Sequence, residues 1–246
     1  MDFTLNEEQI ELKAAARSWL AEKFPLDRDW DGPQSYAEEW KEMKEMGWYD
    51  VAEAGFGFVE EILLLEEMGY VCDPGFYLGH IAPGQGEGVE RTVDRSRMFH
   101  RINDTPRFRT AAAAEALGIA QRALDLGVEH AKTREQFGKP IGTYQAVSHP
   151  LAQTYTDVEL ARSLTYWAAW CVAEDDDRAP LAAAAAKALS TEAAVAACER
   201  SIQIHAGTGF TWEHPLHRFY KRALWLEGSG ARPSALRLEI ADALLD

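Results

Sequence analysis

The chain has 246 residues, 47% of them hydrophobic and 26% charged, the make-up of a globular protein of one or two domains with a substantial core. Its 25 basic and 40 acidic residues give a net charge of −15 at pH 7, which argues against nonspecific binding to nucleic acid or to an anionic membrane. Three widely spaced cysteines, Cys72, Cys171 and Cys198, show no CxxC pair and no metal-ligand spacing, so no disulfide framework and no metal centre is expected. That usage fits a reducing, cytoplasmic setting. The opening MDFTLNEEQ has neither the basic start nor the apolar core of a signal peptide, and no apolar run is expected to reach bilayer length.

In chain order, Thr4 and Glu7 have the spacing of a capping box. Ile10, Leu12, Ala16, Trp19 and Leu20 then recur at helical spacing, and this first helix should end before Pro25. A second helix is expected over residues 35–46, with Tyr36, Trp40, Met43 and Met46 on its apolar side and Gly47 placed to stop it. A third, over residues 58–68, presents Val59, Ile62, Leu63, Leu65 and Met68. Its Glu-Glu pairs read as a solvated face, because no histidine stands near them. Residues 81–105 are glycine-rich and too few to build a β-domain, so they read as a linker or remnant.

From Pro106 onward the sequence reads as a helix bundle. Ala111, Ala114, Leu117, Ile119, Ala120, Ala123, Leu124 and Val128 carry one helix. Val147, Leu151, Tyr155, Val158, Leu160, Leu164 and Trp167 carry a second, up to Glu174 and an acidic turn. Pro180 suits the first turn of a third, and a last helix follows Pro233. The expected class is all-α: an N-terminal helical domain over residues 1–80 and a four-helix bundle over residues 106–246.

Two turns interrupt this pattern. Residues 132–145, KTREQFGKPIGTYQ, place Gly138, Pro140 and Gly142 close together, ending one helix near Lys132 and starting the next near Thr143. The turn carries Arg134, Gln136 and Phe137: a planar cation, an amide and an aromatic ring. That set suits a ligand with phosphates and a flat ring system, since a guanidinium binds phosphate through two donors. On composition alone, a solvated helix–helix loop is the simpler reading. Residues 203–213, QIHAGTGFTWE, set Gly207 and Gly209 at a helix end, which reads as a helix stop and also allows close backbone approach to a ligand.

These words carry a resemblance. KTREQFGKPIGTYQAVSHPLA resembles the signature of the acyl-CoA dehydrogenase family, flavoenzymes that oxidise acyl-CoA thioesters to enoyl-CoA. FTLNEEQIELKAAARSWL and GFVEEILLLEEMG resemble the family's N-terminal helical domain, and QIHAGTG is similar to its Gln-x-x-Gly-Gly-x-Gly motif, with Ala206 where the first glycine would stand. The resemblance covers residues 1–80 and 106–246. It implies FAD as cofactor, contacted by Arg134, Gln136, Phe137, Gln203 and Gly207, often on the flavin of a neighbouring subunit. It further implies an acyl-CoA substrate, a homo- or hetero-oligomer such as a tetramer with FAD at its interfaces, electron-transfer flavoprotein as acceptor, and a place in lipid metabolism. The family's middle β-domain, which covers one face of the flavin, is missing over residues 81–105. Either it is truly absent, or these residues join pieces of a longer chain.

Oxidising an acyl-CoA removes an α-proton and a β-hydride. The first needs a carboxylate whose pKa burial has raised; the second needs a flavin, because no side chain accepts a hydride. In LEGSG, Glu227 and Gly228 resemble the family's glutamate–glycine turn, which implies Glu227 as the catalytic base. Ser229, Gly230 and Ala231 depart from the threonine-containing segment that usually follows. Glu115 and Glu213 are other carboxylates, the first better read as structural; His205 reads as a packed residue, and Arg218, Lys221 and Arg222 as a solvated face unless they support the site as in the family. The alternative to an enzyme is a half-site partner subunit that lends flavin contacts to another chain.

Overall fold

Alanine sets the centre of the molecule. Helix α5 (Pro106–Thr133) starts at Thr105, whose side chain accepts from Phe108 N–H, with Pro106 in the first turn where its missing amide proton costs nothing. It buries Ala111, Ala112, Ala113, Ala114, Ala116 and Ala120 around its whole circumference. A helix that is apolar all round must be enclosed, and α5 packs most extensively on α7 (Ala179–His205), another alanine-rich helix. Helix α6 (Gln145–Ala173) flanks both. The computed structural model describes residues 4–29, 36–49, 51, 56–73, 76–81 and 103–245. Residues 82–102, and with them most of the linker or remnant expected over residues 81–105, lie outside the described residues.

The all-α expectation holds. The strands among the described residues are the two-residue β1 (Glu135–Gln136) and β2 (Lys139–Pro140). The C-terminal helix bundle holds as well: α5, α6 and α7 are its long members, and the shorter α8 (Leu216–Gly228) and α9 (Pro233–Leu245), each 13 residues, pack along α7 to complete it. Because α9 packs chiefly on α7, Leu236 is buried while Leu238 and Leu244 remain exposed. By length and composition α7, taken on to Phe210, could cross a membrane, contrary to the sequence expectation, but 67% of its apolar window is buried inside this fold. Its hydropathy is that of a core helix.

The N-terminal helices are α1 (Glu7–Lys23), α2 (Ala37–Glu45), α3 (Phe58–Val71) and α4 (Phe76–Ile81). The capping box falls two residues later than the sequence suggests. Asn6 accepts from Gln9 N–H at 2.8 Å and the Gln9 side chain accepts from Asn6 N–H at 3.0 Å, which leaves Glu7 already inside the first turn. Gly47 does close α2, at φ +76°. Helix α3 lies directly on α5: a Cβ at Gly69 would stand 2.1 Å from the Glu115 carbonyl oxygen, and one at Gly118 1.9 Å from that of Glu66. Only glycine allows backbones this close.

That crossing overturns the solvated reading of the Glu-Glu pairs. Glu66 and Glu67 are each 1% exposed, enclosed between α1, α5 and α6. Glu66 accepts from Lys13 Nζ at 2.7 Å and Tyr166 Oη at 2.6 Å and pairs with Arg162; Glu67 pairs with Arg17. Glu60 accepts from Gln9 Nε2, and Glu61 pairs with Arg107. Buried carboxylates persist only when paired in this way. Burial alone would push the Glu66 carboxyl up, but Lys13 and Arg162 outweigh it and hold it below the ordinary range.

A carboxyl depressed in the folded state contributes stability above its unfolded pKa and loses it as pH falls through the folded value. Replacing Glu66 by Gln, which strands two cations, should destabilise the fold by about 3 kcal/mol. In thermal melts the gap between wild type and Glu66→Gln should close as pH falls below about 4.3, the ordinary glutamate value. A gap that persists at lower pH would show that the network does not depend on this charge.

Candidate active site

The sequence loop between α5 and α6 is a β-hairpin. β1 and β2 pair antiparallel, with Gln136 opposite Lys139, so that Phe137 and Gly138 form a two-residue turn. Both have positive φ, +54° and +78°. This is the arrangement of a type I′ turn, which glycine adopts freely and a bulky residue adopts only with strain. Phe137 is nonetheless at the tip and 93% exposed. Tyr144 braces the hairpin: its hydroxyl donates to the Gln136 carbonyl at 3.1 Å, and Lys139 Nζ sits 4.4 Å from its ring centre. Arg134 caps α5 in an extended conformation and, like Gln136, is exposed; the Gln136 amide donates to the Glu135 carbonyl.

The second turn reaches the same end of the bundle. Gln203 is exposed on the last turn of α7, and Gly207 lies in the 3-10 turn Ala206–Phe210 that follows. Nothing lies within 4 Å of where a Gly207 Cβ would be, so the space above this backbone is open. Ala206, at φ +53° and ψ −135°, occupies backbone space that is essentially glycine's. The two turns are joined by stacked imidazoles. His130 near the end of α5 lies 4.2 Å, centre to centre, from His205 at the end of α7, and His214 lies 4.5 Å beyond. His205 is buried, as the sequence suggests, with Nδ1 at 2.8 Å from the Ser201 carbonyl. Burial, followed by the neighbouring His205 and His130, pushes His214 down to about 4. Burial, with His205 and Arg134 adding to it, pushes the His130 imidazole down as well.

Glu227 stands elsewhere. Helix α8 leaves the histidine stack and runs back along α7, so its last turn carries Glu227 to the level of Glu192. From His205 back to Glu192, α7 runs about 20 Å at ~1.5 Å per residue. Glu227 is half-buried on the wall of a cleft of about 430 Å³, shared with Glu192, Leu224, Arg232 and Arg237. Burial and the Glu192 carboxylate raise its pKa, against a lowering pull from Arg232. Glu192 is itself paired with Arg237. The structure thus gathers Arg134, Gln136, Phe137, Gln203 and Gly207 at one end of the bundle and sets Glu227 apart from them.

The other carboxylates are accounted for. Glu115 is buried and held by Arg222 through two hydrogen bonds, at 2.5 and 3.0 Å, across the α5–α8 contact. Glu213 is exposed, and hydrogen bonds lower its pKa, the opposite of what a base needs. Of the three cations expected on a solvated face, Arg222 is half-buried and engaged in that pair, while Arg218 and Lys221 lie over the Trp212 ring. All three cysteines are free and buried, and no group of metal-ligating side chains occurs among the described residues. Sequence reasoning passed over His130, His214, Tyr144 and Lys187. Only Tyr144, an aromatic inside the signature loop, offered a signal.

With this geometry established, comparison with known proteins is direct. Residues 103–244 match the acyl-CoA dehydrogenase C-terminal domain and residues 6–84 its N-terminal domain, and the chain belongs to the acyl-CoA dehydrogenase family. It is 43% identical over 111 residues to the acyl-CoA dehydrogenase IpdE2 of Mycobacterium tuberculosis, a stretch covering 45% of this chain and 33% of that protein. It is 43% identical over 120 residues to acyl-CoA dehydrogenase FadE34 of the same organism, covering 48% of this chain and 17% of that one. The chain therefore matches a third or less of the length of these relatives. Butyryl-CoA dehydrogenase from Megasphaera elsdenii shares the fold, with TM-score 0.81, 19% identity and 100% of both chains covered. So does a chain of the ChsE4–ChsE5 complex from Mycobacterium tuberculosis, with TM-score 0.79, 20% identity, and 100% of this chain and 99% of that one covered.

Ala206 supplies a stability test of the second turn. Relief of its positive φ should make Ala206→Gly more stable by about 1 kcal/mol, the low end of the strain expected for such a residue. The thermal midpoint should rise; a fall would show that Ala206 is not strained.

Proposed function

We propose that this chain takes part in the α,β-dehydrogenation of an acyl-CoA thioester, with Glu227 removing the α-proton. The observation that carries the reading is the setting of Glu227: a carboxylate raised above its ordinary pKa by burial and by Glu192, on the wall of a cleft. Those are the properties of a general base, because a raised pKa strengthens its pull on a weakly acidic C–H proton. Arg134, Gln136, Phe137, Gln203 and Gly207 would hold FAD, which when bound supplies the hydride acceptor. The fit is chemical: an exposed guanidinium, an amide, an aromatic tip and open backbone at Gly207 suit phosphates and a flat ring. The proposed partners are further copies of the chain or a related second chain, with electron-transfer flavoprotein as acceptor.

The separation of about 20 Å along α7 supports a division of labour, in which the hairpin serves a neighbour's flavin and Glu227 serves another. One observation favours the half-site alternative. Ser229, where the family resemblance leads one to expect a flavin-contacting threonine segment, is 1% exposed and donates its hydroxyl to the Trp225 carbonyl at 2.6 Å. Its one hydroxyl proton is therefore already engaged within the chain.

Glu227→Gln should keep its flavin but lose turnover by ~10²–10⁴-fold or more, as general bases do. Stopped-flow bleaching of the flavin by a panel of saturated acyl-CoA thioesters measures this, and undiminished bleaching would remove Glu227 from the mechanism. Arg134→Ala should lower the flavin-to-protein ratio of the purified assembly without moving its thermal midpoint by more than a degree or two, since the side chain is exposed. Unaltered flavin content and assembly would instead point to a helical scaffold.

A further inference from the structure

We infer that Lys187 is a positioning residue for Glu227: from inside the bundle it clamps the turn on which the cleft's two walls hang. The inference rests on the reading of Glu227 as the base. Lys187 lies in the middle of α7 and is fully buried. Its ammonium donates to two carbonyls, those of Ser229 and of Ala231, the latter at 2.8 Å, and faces Asp104 Oδ1 at 3.9 Å. Burial pushes it down to about 8, with Asp104 pulling the other way.

A lysine in such a place is expensive to bury, and packing alone would be met as well by an apolar side chain of similar length. What the ammonium adds is a fixed pair of donors. The carbonyls it holds belong to the turn that ends α8 and leads into α9. Just before the turn stand Glu227 and Gly228; just after it stand Arg232, Pro233 and Ser234; all five line the same cleft. The clamp therefore governs both the direction of the Glu227 carboxylate and the width of the opening it faces.

The turn is seated tightly. Gly230 has φ +66°, and a Cβ there would stand 2.5 Å from Asp104 Oδ1 and 3.2 Å from Lys187 Nζ. The Ser229 hydroxyl, donating to the Trp225 carbonyl, fastens the same turn to the last turn of α8. The charged and titratable groups that act on Glu227 are Glu192 and Glu199 on α7, Tyr220 on α8, and Arg232 just before α9. Arg237, on α9, acts through its pair with Glu192. Lys187 is not among the groups that shift Glu227; it acts through the backbone.

The test reads the titration of Glu227 itself, in the purified assembly with its flavin, by carbon NMR of glutamate labelled at the side-chain carboxyl. The Glu227 signal is assigned by its loss in Glu227→Gln. In Lys187→Met the midpoint should fall by about half a pH unit or more, because a loosened turn lets water reach the carboxylate. Loss of a positive charge acting through space would raise it, so the sign separates the two causes. Gly230→Ala strains the same clamp with the ammonium still in place and should shift the midpoint downward too; it decides alone if Lys187→Met does not fold. Unchanged midpoints alongside lowered melting temperatures would reduce Lys187 to a structural role and overturn the inference. Undiminished flavin bleaching in Glu227→Gln would instead defeat the base assignment, while the NMR shift still judged the clamp.

Discussion

The contact between α5 and α7 is the constraint on which the other features depend. Alanine on both helices leaves only small side chains in this contact, which favours close packing of the two backbones. Everything functional is attached to the ends of this pair. The hairpin with Arg134 and Phe137 continues from α5, the Gln203 turn continues from α7, and α8 returns along α7 to deliver Glu227. The stacking of His130 on His205 is the visible consequence: two turns about 70 residues apart in sequence meet because the helices that precede them are locked in register.

Charge inside the molecule follows the same logic. Where two helices meet without room for large side chains, the remaining spaces are filled by long polar ones: Glu66 with Lys13 and Arg162, Glu115 with Arg222, Lys187 with backbone carbonyls. Such pairs add little net stability over apolar packing, but breaking one is costly, so they penalise every arrangement other than the native one. That is a way to specify register in helices whose alanine surfaces are nearly featureless. The glycine crossing of α3 on α5 works in the same direction, since a shift of either helix would bring a Cβ into the partner's backbone.

Much of this was legible in the sequence, for identifiable reasons. Helical spacing of alanine and leucine gave α5, α6 and α7, because a 3.6-residue period survives over helices of 27 to 29 residues. The same signal failed for Glu66 and Glu67, since periodicity separates polar from apolar positions and cannot see that the polar ones are also enclosed. Lys187, a lone cation in a run of alanines, was passed over for the same reason. Positive φ at Phe137 and Ala206 was invisible because neither residue type advertises it; the neighbouring glycines marked only that a turn was there. The candidate site residues came from motif resemblance. Nothing in composition would have singled out Glu227 from the other 39 acidic residues, and its cleft exists only once α8 has folded back on α7.

The tip of the hairpin carries the strongest physical argument for a partner. Phe137 is unfavourable twice over within this chain, once in its backbone conformation and once in presenting nearly its whole ring to water. Tyr144, Lys139 and the β1–β2 pairing hold it there, so the conformation is imposed by its surroundings and is not a slack loop's accident. The proposed function offers a compensation outside the chain: a flavin dinucleotide seated against a neighbouring subunit, with Arg134 beside the ring to meet its phosphates. Glu227, set about 20 Å away along α7, would then work on a different flavin from the one its own hairpin grips. On that reading each chain is half of two sites, and assembly is a precondition of the chemistry.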